Sequence, residues 1–485
     1  MAAVTIPPSS PTQSRKKSNI VTGISQDLLS RKLSSSNLHL AGPPKFDLES
    51  YIQNYKGRTR LERLLLIGSC SSFLGVDAYK AAVHEAKHGK DIKRYLEAQT
   101  PLETIAPQEP EAVRDTQWMD QQSKLNEIQT ASLEKQLKEY KNNLVKESIR
   151  MGNEDLGKHY QEIGDLPKAF EAYSRMRADA ASQKHIIEVS KHLIEVSIEQ
   201  RNWIGVTSNV QKIKQIQATP DEERSLQPYL CTADGLALMD SGGYYSAALA
   251  FLRTDAGMGS SYNTFISPND VAVYGGLCAL ASMERSELNR SVLENSNFRT
   301  YLELEPNIRR AITFFVNSRY TACLNILESY YSDYLLDIHL QKHVDQLYQL
   351  IRSKSIVQYF IPFSCVTLSS LNEAFAAPGK TVDKELVQMI QRKELDARID
   401  TQNRVLTSVS SSSRATLHNE ALKTAKEYER EARRRIQHMN IVSADLELKG
   451  GKARGSQMGQ MGGMDDLFSE GMGGGRELRS RAYIG

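Results

Sequence analysis

The sequence lacks long apolar runs and an excess of charge of either sign. No stretch approaches the roughly 18 uninterrupted apolar residues of a membrane helix, and the N-terminus has no apolar core of a secretory signal. We therefore expect no membrane-spanning segment and a location in the cytoplasm and nucleus. The 61 basic and 58 acidic side chains give a formal net charge of +3. This balance argues against a nucleic-acid-binding surface that covers the whole chain.

Cysteine is scarce, and its spacing does not suit cross-links or metal binding. The five cysteines are far apart, form no C-x-x-C motif and mostly lie in apolar surroundings: Cys70, Cys231, Cys278, Cys323 and Cys365. This context predicts buried reduced thiols instead of disulfides or metal ligands.

One segment matches a zinc-site motif, but its neighbouring residues do not suit zinc binding. The segment from His84 to His88 reads H-E-x-x-H, which on a helix would aim two imidazoles at one zinc ion with Glu85 as general base. Such helices keep the positions between the histidines uncharged, because these positions are buried beside the metal. Lys87 and the helix-interrupting Gly89 therefore argue against a zinc site here.

The remaining candidates for chemistry are weaker still. The segment PGKT at residues 378–381 ends like a phosphate-binding loop, but Ala374 occupies the position of the leading glycine. His339 and His343 have helical spacing, and their apolar neighbours favour partly buried helix residues. No G-x-S-x-G elbow occurs. We predict no catalytic, cofactor-binding or metal-binding residue, and no cofactor.

What the sequence does contain is a helix break that recurs through its middle. The breaks fall at Gly164-Asp165, Asn202, Gly242-Gly243, Ser282 and Asn317-Ser318, at intervals of 38, 40, 40 and 35 residues. This period is typical of stacked helix-turn-helix repeats. The sequence therefore predicts a mainly α fold with a TPR-like helical-repeat solenoid over residues 151–350.

The residues around three of these breaks support the repeat. A small residue follows each break by five positions, at Ala169, Ala247 and Ala322, and lets two helices approach closely. Larger side chains fill the space between the helices: Tyr160, Leu238, Phe314, Phe170, Leu249 and Leu324. The break at Ser282 has the spacing without these residues.

Two further segments precede the repeats. Residues 1–45 are rich in Ser, Pro, Lys and Arg and poor in large apolar residues, which predicts a disordered arm. Residues 46–150 form a helical segment, with buried faces marked by Leu61, Leu64, Leu65, Ile67 and Phe73, and three prolines then break the helices. One long amphipathic helix is predicted from Thr116 to Arg150, with its stripe at Leu125, Ile128, Leu133, Leu137, Tyr140 and Leu144.

The chain changes character after the repeats. Short helices surround the β-rich CVTL segment, a helix follows with Leu386, Val387, Met389 and Ile390 inward, and LDARI and RVLTSV read as two strands. This layout predicts a winged helix over residues 351–410. An assembly helix over residues 414–440 and a disordered Gly- and Met-rich tail over residues 441–485 complete the chain.

This order of parts resembles the PCI-domain family, whose members occur in the proteasome lid, the signalosome and an initiation-factor complex; here the PCI domain would cover about residues 235–410. Three segments resemble the first-subunit family of the COP-nine signalosome more closely: NYKGRTRLERLLLIG, LDARIDTQNRVL and RMGNEDLGKHYQEIGDLPKAFEAY with its continuation to residue 203. The resemblance covers roughly residues 46–441.

The resemblance implies a function for the chain. The signalosome removes the ubiquitin-like modifier from cullins, so the chain is expected to be a non-catalytic scaffold that supports deneddylation and regulates cullin-RING ubiquitin ligases. The isopeptidase site of the signalosome needs an H-x-H pair, and this chain contains none. The alternatives are a paralogous scaffold subunit of the proteasome lid and a nucleic-acid-binding winged-helix protein. The helix after residue 382 carries both acidic and basic side chains, which argues against binding to nucleic acid.

Two surfaces are predicted to bind other signalosome subunits, with cullin-RING ligases as indirect partners. Because sheet edges in PCI assemblies pair between subunits, the RVLTSV strand is predicted to be an exposed edge, with Val405, Leu406 and Val409 at the contact. The C-terminal helix is predicted to enter a helix bundle through one apolar stripe: Leu417, Tyr428, Ile436 and Met439.

Overall fold

The computed structural model describes residues 44–216, 220–255, 264–375, 381–409 and 413–446. It is mainly helical, which confirms the predicted fold class, and it divides into two units, residues 1–409 and 410–485. The predictions of a disordered arm before residue 44 and of a disordered tail after residue 446 lie outside the described residues. Residues 378–380 of the PGKT segment also lie outside them.

The first unit begins with a helical segment around its own apolar core. Its helices are α1 (Leu48–Gln53), α2 (Gly57–Cys70), α3 (Gly75–His88), α4 (Ile92–Ile105) and α5 (Thr116–Asn143). Leu61, Leu64 and Ile67 are buried, as predicted. Phe73 is 64% exposed, so its predicted burial is wrong: it lies in the turn after α2 ends. Pro101 lies inside α4, so the first proline of the predicted break does not end that helix.

Helices α6 to α16 form the repeat region. Paired helices are α6 (Lys146–Ile163) with α7 (Leu166–Met176), α8 (Gln183–Glu199) with α9 (Trp203–Lys214), α10 (Pro220–Asp240) with α11 (Tyr244–Leu252), and α15 (Pro306–Val316) with α16 (Tyr320–Leu335). Between the third and fourth pairs lie α12 (Pro268–Ser282), α13 (Arg285–Leu288) and α14 (Ser296–Leu304).

Four of the predicted turns share one backbone geometry. Each holds one residue at positive φ: Gly164 (90°), Arg201 (59°), Gly242 (79°) and Ser318 (60°). The next residue donates its N–H to the carbonyl five residues earlier, as Asp165 does to Tyr160 at 2.9 Å. These bonds satisfy carbonyls at the end of the incoming helix. The fifth residue after each left-handed position is buried: Ala169, Val206, Ala247 and Cys323.

The last two breaks differ from the sequence prediction. At Ser282 the chain leaves α12 through Met283 in an extended conformation, without a left-handed residue. In the following pair, Ser318 is the left-handed residue, so the small buried position falls on Cys323 instead of Ala322, which is half-buried. The spacing therefore predicted where the helix breaks lie. At the last break, the backbone geometry moves the small buried position by one residue, from Ala322 to Cys323.

Helix α5 buries the predicted stripe only in its C-terminal half, where Leu133 and Tyr140 are half-buried beside Leu137. Leu137 is buried, but Leu125 and Ile128 are exposed. The inner face carries polar residues instead: Asn126 donates to the Lys90 carbonyl at 3.0 Å, and the Thr130 hydroxyl bonds the imidazole of His159 at 2.9 Å.

The predicted helix from Thr116 to Arg150 is in fact two helices. Helix α5 ends at Asn143, and Leu144 adopts a left-handed conformation with φ of 55°. Helix α6 then begins at Lys146. Leu144 is consequently exposed at the turn, and its predicted place on a buried stripe is wrong.

The first unit ends in a winged helix. Its elements are α17 (Val344–Phe360), β1 (Cys365–Thr367), α18 (Leu368–Phe375), α19 (Asp383–Gln391), β2 (Ala397–Asp400) and β3 (Val405–Ser408). The strands form an antiparallel sheet in the order β1-β3-β2. The second unit contains one described helix, α20 (Ser413–Ser443). No helix within the described ranges is long and apolar enough to cross a lipid bilayer.

A buried arginine links the N-terminal segment to two distant parts of the unit. Arg63 on α2 is fully buried, and its Nη2 donates to Asp270 at 2.8 Å while its Nη1 donates to Asp337 at 2.5 Å. Asp270 lies in the first turn of α12, and Asp337 lies between α16 and α17. The pairing therefore joins the N-terminal segment to the repeats and to the start of the winged helix.

Tyrosine hydroxyls complete the bonding of the two carboxylates. Tyr55 donates to Asp270 and Tyr274 donates to Asp337, each at 2.7 Å. The Arg63 guanidinium also lies 4.0 Å from the centre of the Tyr55 ring. Burial by itself would raise the pKa of Asp337, but the attraction of Arg63 and the hydrogen bonds from Tyr274 and Arg63 together outweigh burial and lower this pKa to about 2. Asp337 is therefore ionised inside the protein.

The turn glycines permit a matched test of the contact between the first repeat and the N-terminal segment. A Cβ on Gly164 would lie 2.1 Å from the Asp91 carboxylate, whereas a Cβ on Gly242 would meet nothing within 4 Å. We expect Gly242→Ala to cost about 1–2 kcal/mol through its left-handed backbone alone. Gly164→Ala should cost clearly more in urea unfolding. Equal costs would show that Asp91 moves away freely.

Removal of the Arg63 charge should be strongly destabilising. We expect Arg63→Met to cost about 3–5 kcal/mol in thermal or urea unfolding, because two buried carboxylates lose their counter-ion. The triple variant with Asp270→Asn and Asp337→Asn should recover most of this loss. Arg60→Met on the same helix is the control, since Arg60 is only half-buried and lies 3.5 Å from Glu85. A mild effect of Arg63→Met would contradict the linking role.

Candidate subunit interfaces

The winged-helix sheet places its strands differently from the prediction. Strand β3 pairs with β1 on one side and with β2 on the other, so that Leu406 lies opposite both Val366 and Ile399. Leu406 is fully buried and Val405 is half-buried. The prediction that RVLTSV is an exposed edge is therefore wrong. The CVTL segment supplies the third strand, which covers the side of β3 that was expected to be free.

The true edges of the sheet are β1 and β2. Strand β1 exposes Cys365 and Thr367, and the residues that lead into it include the exposed Ile361 and Phe363. Val409, just after β3, is 38% exposed. Unpaired strand edges with apolar neighbours are typical surfaces for pairing with another chain. Ile361 and Phe363 were not among the predicted interface residues, although the apolar residues after Tyr359 were the available signal.

The helix that would enter a DNA groove carries a mixed surface. Leu386 and Met389 on α19 are buried as predicted, whereas Val387 is 43% exposed, so its predicted inward position is wrong. Glu385 binds Arg352 at 2.8 Å. An exposed valine and a carboxylate on this face do not favour a phosphate backbone.

The second unit presents a long helix with an exposed apolar stripe. All four predicted interface residues on α20 are more than half exposed: Leu417, Tyr428, Ile436 and Met439. Ion pairs line other parts of the helix, such as Arg433 with Glu429 at 2.9 Å. A surface stripe of large apolar side chains at helical spacing is typical of a helix that packs against partner helices. Their contact with a partner stays a prediction.

The H-E-x-x-H segment lies at the end of α3. Both imidazoles are exposed, and their ring centres are 4.5 Å apart. Glu85 lies 3.5 Å from Arg60, and Lys87 lies 3.1 Å from Asp115. Among the described residues, no group of three His, Cys, Asp or Glu side chains could hold a metal ion. The described cysteines are all free, and Cys365 is exposed while Cys70, Cys278 and Cys323 are buried.

The second histidine pair belongs to the packing between elements. His339 and His343 lie in the turn between α16 and α17, not in a helix as predicted, and both are buried. Nδ1 of His343 lies 3.1 Å from the Tyr244 hydroxyl. Burial lowers the pKa of both imidazoles, which favours their neutral forms. Because both histidines are buried and His343 contacts Tyr244, they connect the start of the winged helix to the repeats.

The central position of β3 can be tested by comparing a substitution at its buried Leu406 with one at the exposed Val409. We expect Leu406→Ala to cost about 2–5 kcal/mol, because it empties a fully buried position in the central strand. Val409→Ala, at the surface beside it, should change stability by about 0.5 kcal/mol or less. Urea unfolding and limited proteolysis of the winged helix would measure both. If the two variants are equally stable, β3 does not hold the sheet together.

Two known protein families match the helical region and the winged-helix region of the chain. The family described as 26S proteasome subunit RPN7 matches residues 115–291, and the PCI domain matches residues 327–409. The chain is 50% identical over 417 residues to COP9 signalosome complex subunit 1 of Emericella nidulans, with 84% of each chain covered.

More distant relatives separate the two leading families. Identity to COP9 signalosome complex subunit 1 of Arabidopsis thaliana is 38% over 406 residues, covering 83% of this chain and 91% of the relative. Identity to 26S proteasome non-ATPase regulatory subunit 6 of Dictyostelium discoideum is 21% over 345 residues, covering 70% and 89%. High identity over most of both chains is found with the signalosome proteins. The chain belongs to the COP9 signalosome complex subunit 1 family.

Proposed function

We propose that the chain is a scaffold subunit of a COP9 signalosome. Through that complex it supports removal of the ubiquitin-like modifier from cullins and so regulates cullin-RING ubiquitin ligases. The observation that carries this proposal is the combination of a helical-repeat region, a winged helix whose strands β1 and β2 each have one edge unpaired among the described residues, and a helix with an exposed apolar stripe. Each of these surfaces suits binding to another protein.

The proposed role is structural, with the isopeptidase activity in another subunit. A metal-dependent isopeptidase of this complex would need an H-x-H pair, which the chain lacks. His84 and His88 are exposed, and Glu85 lies beside Arg60 instead of a metal site. Among the described residues, the H-E-x-x-H segment therefore does not form a constellation suited to activating a water molecule.

The proposed contacts with neighbouring subunits use two regions. In the winged helix, edge strands β1 and β2 replace β3 as the pairing surfaces, with Val409 beside them. In the second unit, the stripe from Leu417 to Met439 enters a bundle of helices from several subunits. Cullin-RING ligases are then indirect partners, and the complex works in the cytoplasm and nucleus.

A scaffold role in the proteasome lid is the second candidate, because the chain also matches the RPN7 family. The lower identity to lid subunits, 21% and 22% in two species, disfavours it. Affinity purification of the tagged chain followed by mass spectrometry separates the two. Co-purified signalosome subunits support the proposal, whereas proteasome ATPases would replace it with the lid.

The exposed stripe of α20 should be required for assembly. We expect Leu417→Asp with Tyr428→Asp to reduce co-purification of other subunits by at least tenfold. Burying each such side chain in a bundle is worth about 1.5–3 kcal/mol, and aspartate reverses that gain. The affinity purification above, quantified by mass spectrometry, is the measurement.

The matched control is Lys423→Asp, on the opposite side of the same helix and without an ion pair among the described residues. It should assemble normally. Since all these side chains are exposed, unfolding of the isolated chain should be unchanged in every variant. Normal assembly of the double variant would remove α20 from the proposed interface.

A further inference from the structure

A groove between α1, α2 and α3 has an apolar interior and an unusual exposed aromatic side chain. Its volume is about 680 Å³. Ile52 and Leu64 form a buried floor, and Phe46, Leu48 and Leu74 are half-buried at the sides. Phe73 stands at the rim and is 64% exposed. A large aromatic side chain left open beside an apolar groove marks a binding surface.

The rim of the groove is negatively charged. Glu49 and Asp77 line it, and neither has an ion-pair partner in the part of the chain that the structure describes. Two basic side chains, Arg60 and Lys80, also line the groove, but each pairs with an acidic residue outside it. Arg60 lies 3.5 Å from Glu85, and the Lys80 ammonium lies 2.9 Å from Glu109. An occupant with apolar and basic side chains therefore fits this groove.

The chain supplies such a segment directly before the groove. Pro44, the first described residue, lines the groove itself. The 43 residues before it contain five basic residues and one acidic residue. Apolar residues four positions apart occur as Ile24 with Leu28 and as Leu29 with Leu33, and Arg31 and Lys32 lie among them. The eleven residues from Leu33 to Pro44 can span up to about 36 Å, which is ample reach.

We propose that the α1–α3 groove binds the segment of this same chain from Ile24 to Leu33. Leu28 and its apolar neighbours cover Phe73 and the groove floor, and Arg31 and Lys32 lie beside Glu49 and Asp77. The segment cannot bury its apolar side chains alone, and the groove provides the missing surface. The short connection to Pro44 raises the effective concentration of the segment, so a weak contact suffices.

Photo-crosslinking in the full-length chain tests this binding. Leu28→p-benzoylphenylalanine places a reactive group at the centre of the segment, and Ser10→p-benzoylphenylalanine is the control position. After irradiation, mass spectrometry maps the adducts. We expect Leu28 adducts within a single chain, concentrated on residues 46–81, and no such concentration from position 10.

Two variants in the Leu28 background test the chemistry of the contact. Phe73→Ser should lower the adduct yield by about tenfold, because the aromatic contact is lost. Ile128→Ser is its control, since Ile128 is 67% exposed on α5, away from the groove lining. Arg31→Glu with Lys32→Glu should lower the yield several-fold, whereas Arg15→Glu with Lys16→Glu should not.

The outcomes are decisive in both directions. Groove adducts that fall with Phe73→Ser and with the charge reversal at Arg31 and Lys32 support the proposal. Adducts between two chains would show that a second copy takes the groove, and the proposal would be wrong. It would also be overturned by adducts spread along the chain or by a yield that Phe73→Ser leaves unchanged.

Discussion

The pairing of Arg63 with Asp270 and Asp337 determines how the first unit is put together. Three charges have left water, and their desolvation is compensated only while all three side chains stay within hydrogen-bond distance. Asp270 is itself held by the cap of α12, where it exchanges hydrogen bonds with Ser267. The N-terminal segment therefore cannot shift on the repeats without exposing or separating buried charges. That constraint fixes the N-terminal segment against the rest of the first unit, which is what a scaffold needs.

The parts of the fold that could be predicted are those encoded locally. Helix ends need either a left-handed residue or a capping side chain, so breaks at a constant interval reveal stacked helix pairs even without an apolar consensus. Gly164 and Gly242 made two of these turns visible, and Arg201 and Ser318 adopt the same geometry without glycine. Strands β2 and β3 of the winged helix and helix α20 were also found, because their residue patterns are regular.

The parts that could not be predicted depend on residues far apart in sequence. Nothing around Arg63 indicates its partners, which are 207 and 274 residues away. The inner face of α5 was misjudged because Asn126 and Thr130 find partners on other helices, and such pairing makes polar residues suitable for burial. The prediction that β3 is an edge strand was wrong for the same reason, because only the tertiary structure brings β1 beside β3. Of the candidate interface, α20 was identified by pattern, while the sheet edges required the structure.

The long separation between Arg63 and Asp337 has a consequence for biosynthesis. At about 5–20 residues per second, a ribosome needs roughly 14–55 s to translate the 274 residues between them. For most of that interval the nascent N-terminal segment presents Arg63 and Tyr55 without Asp270, and for all of it Arg63 lacks Asp337. Final docking of this segment must wait until Asp337, about seven tenths of the way along the polypeptide, has left the tunnel.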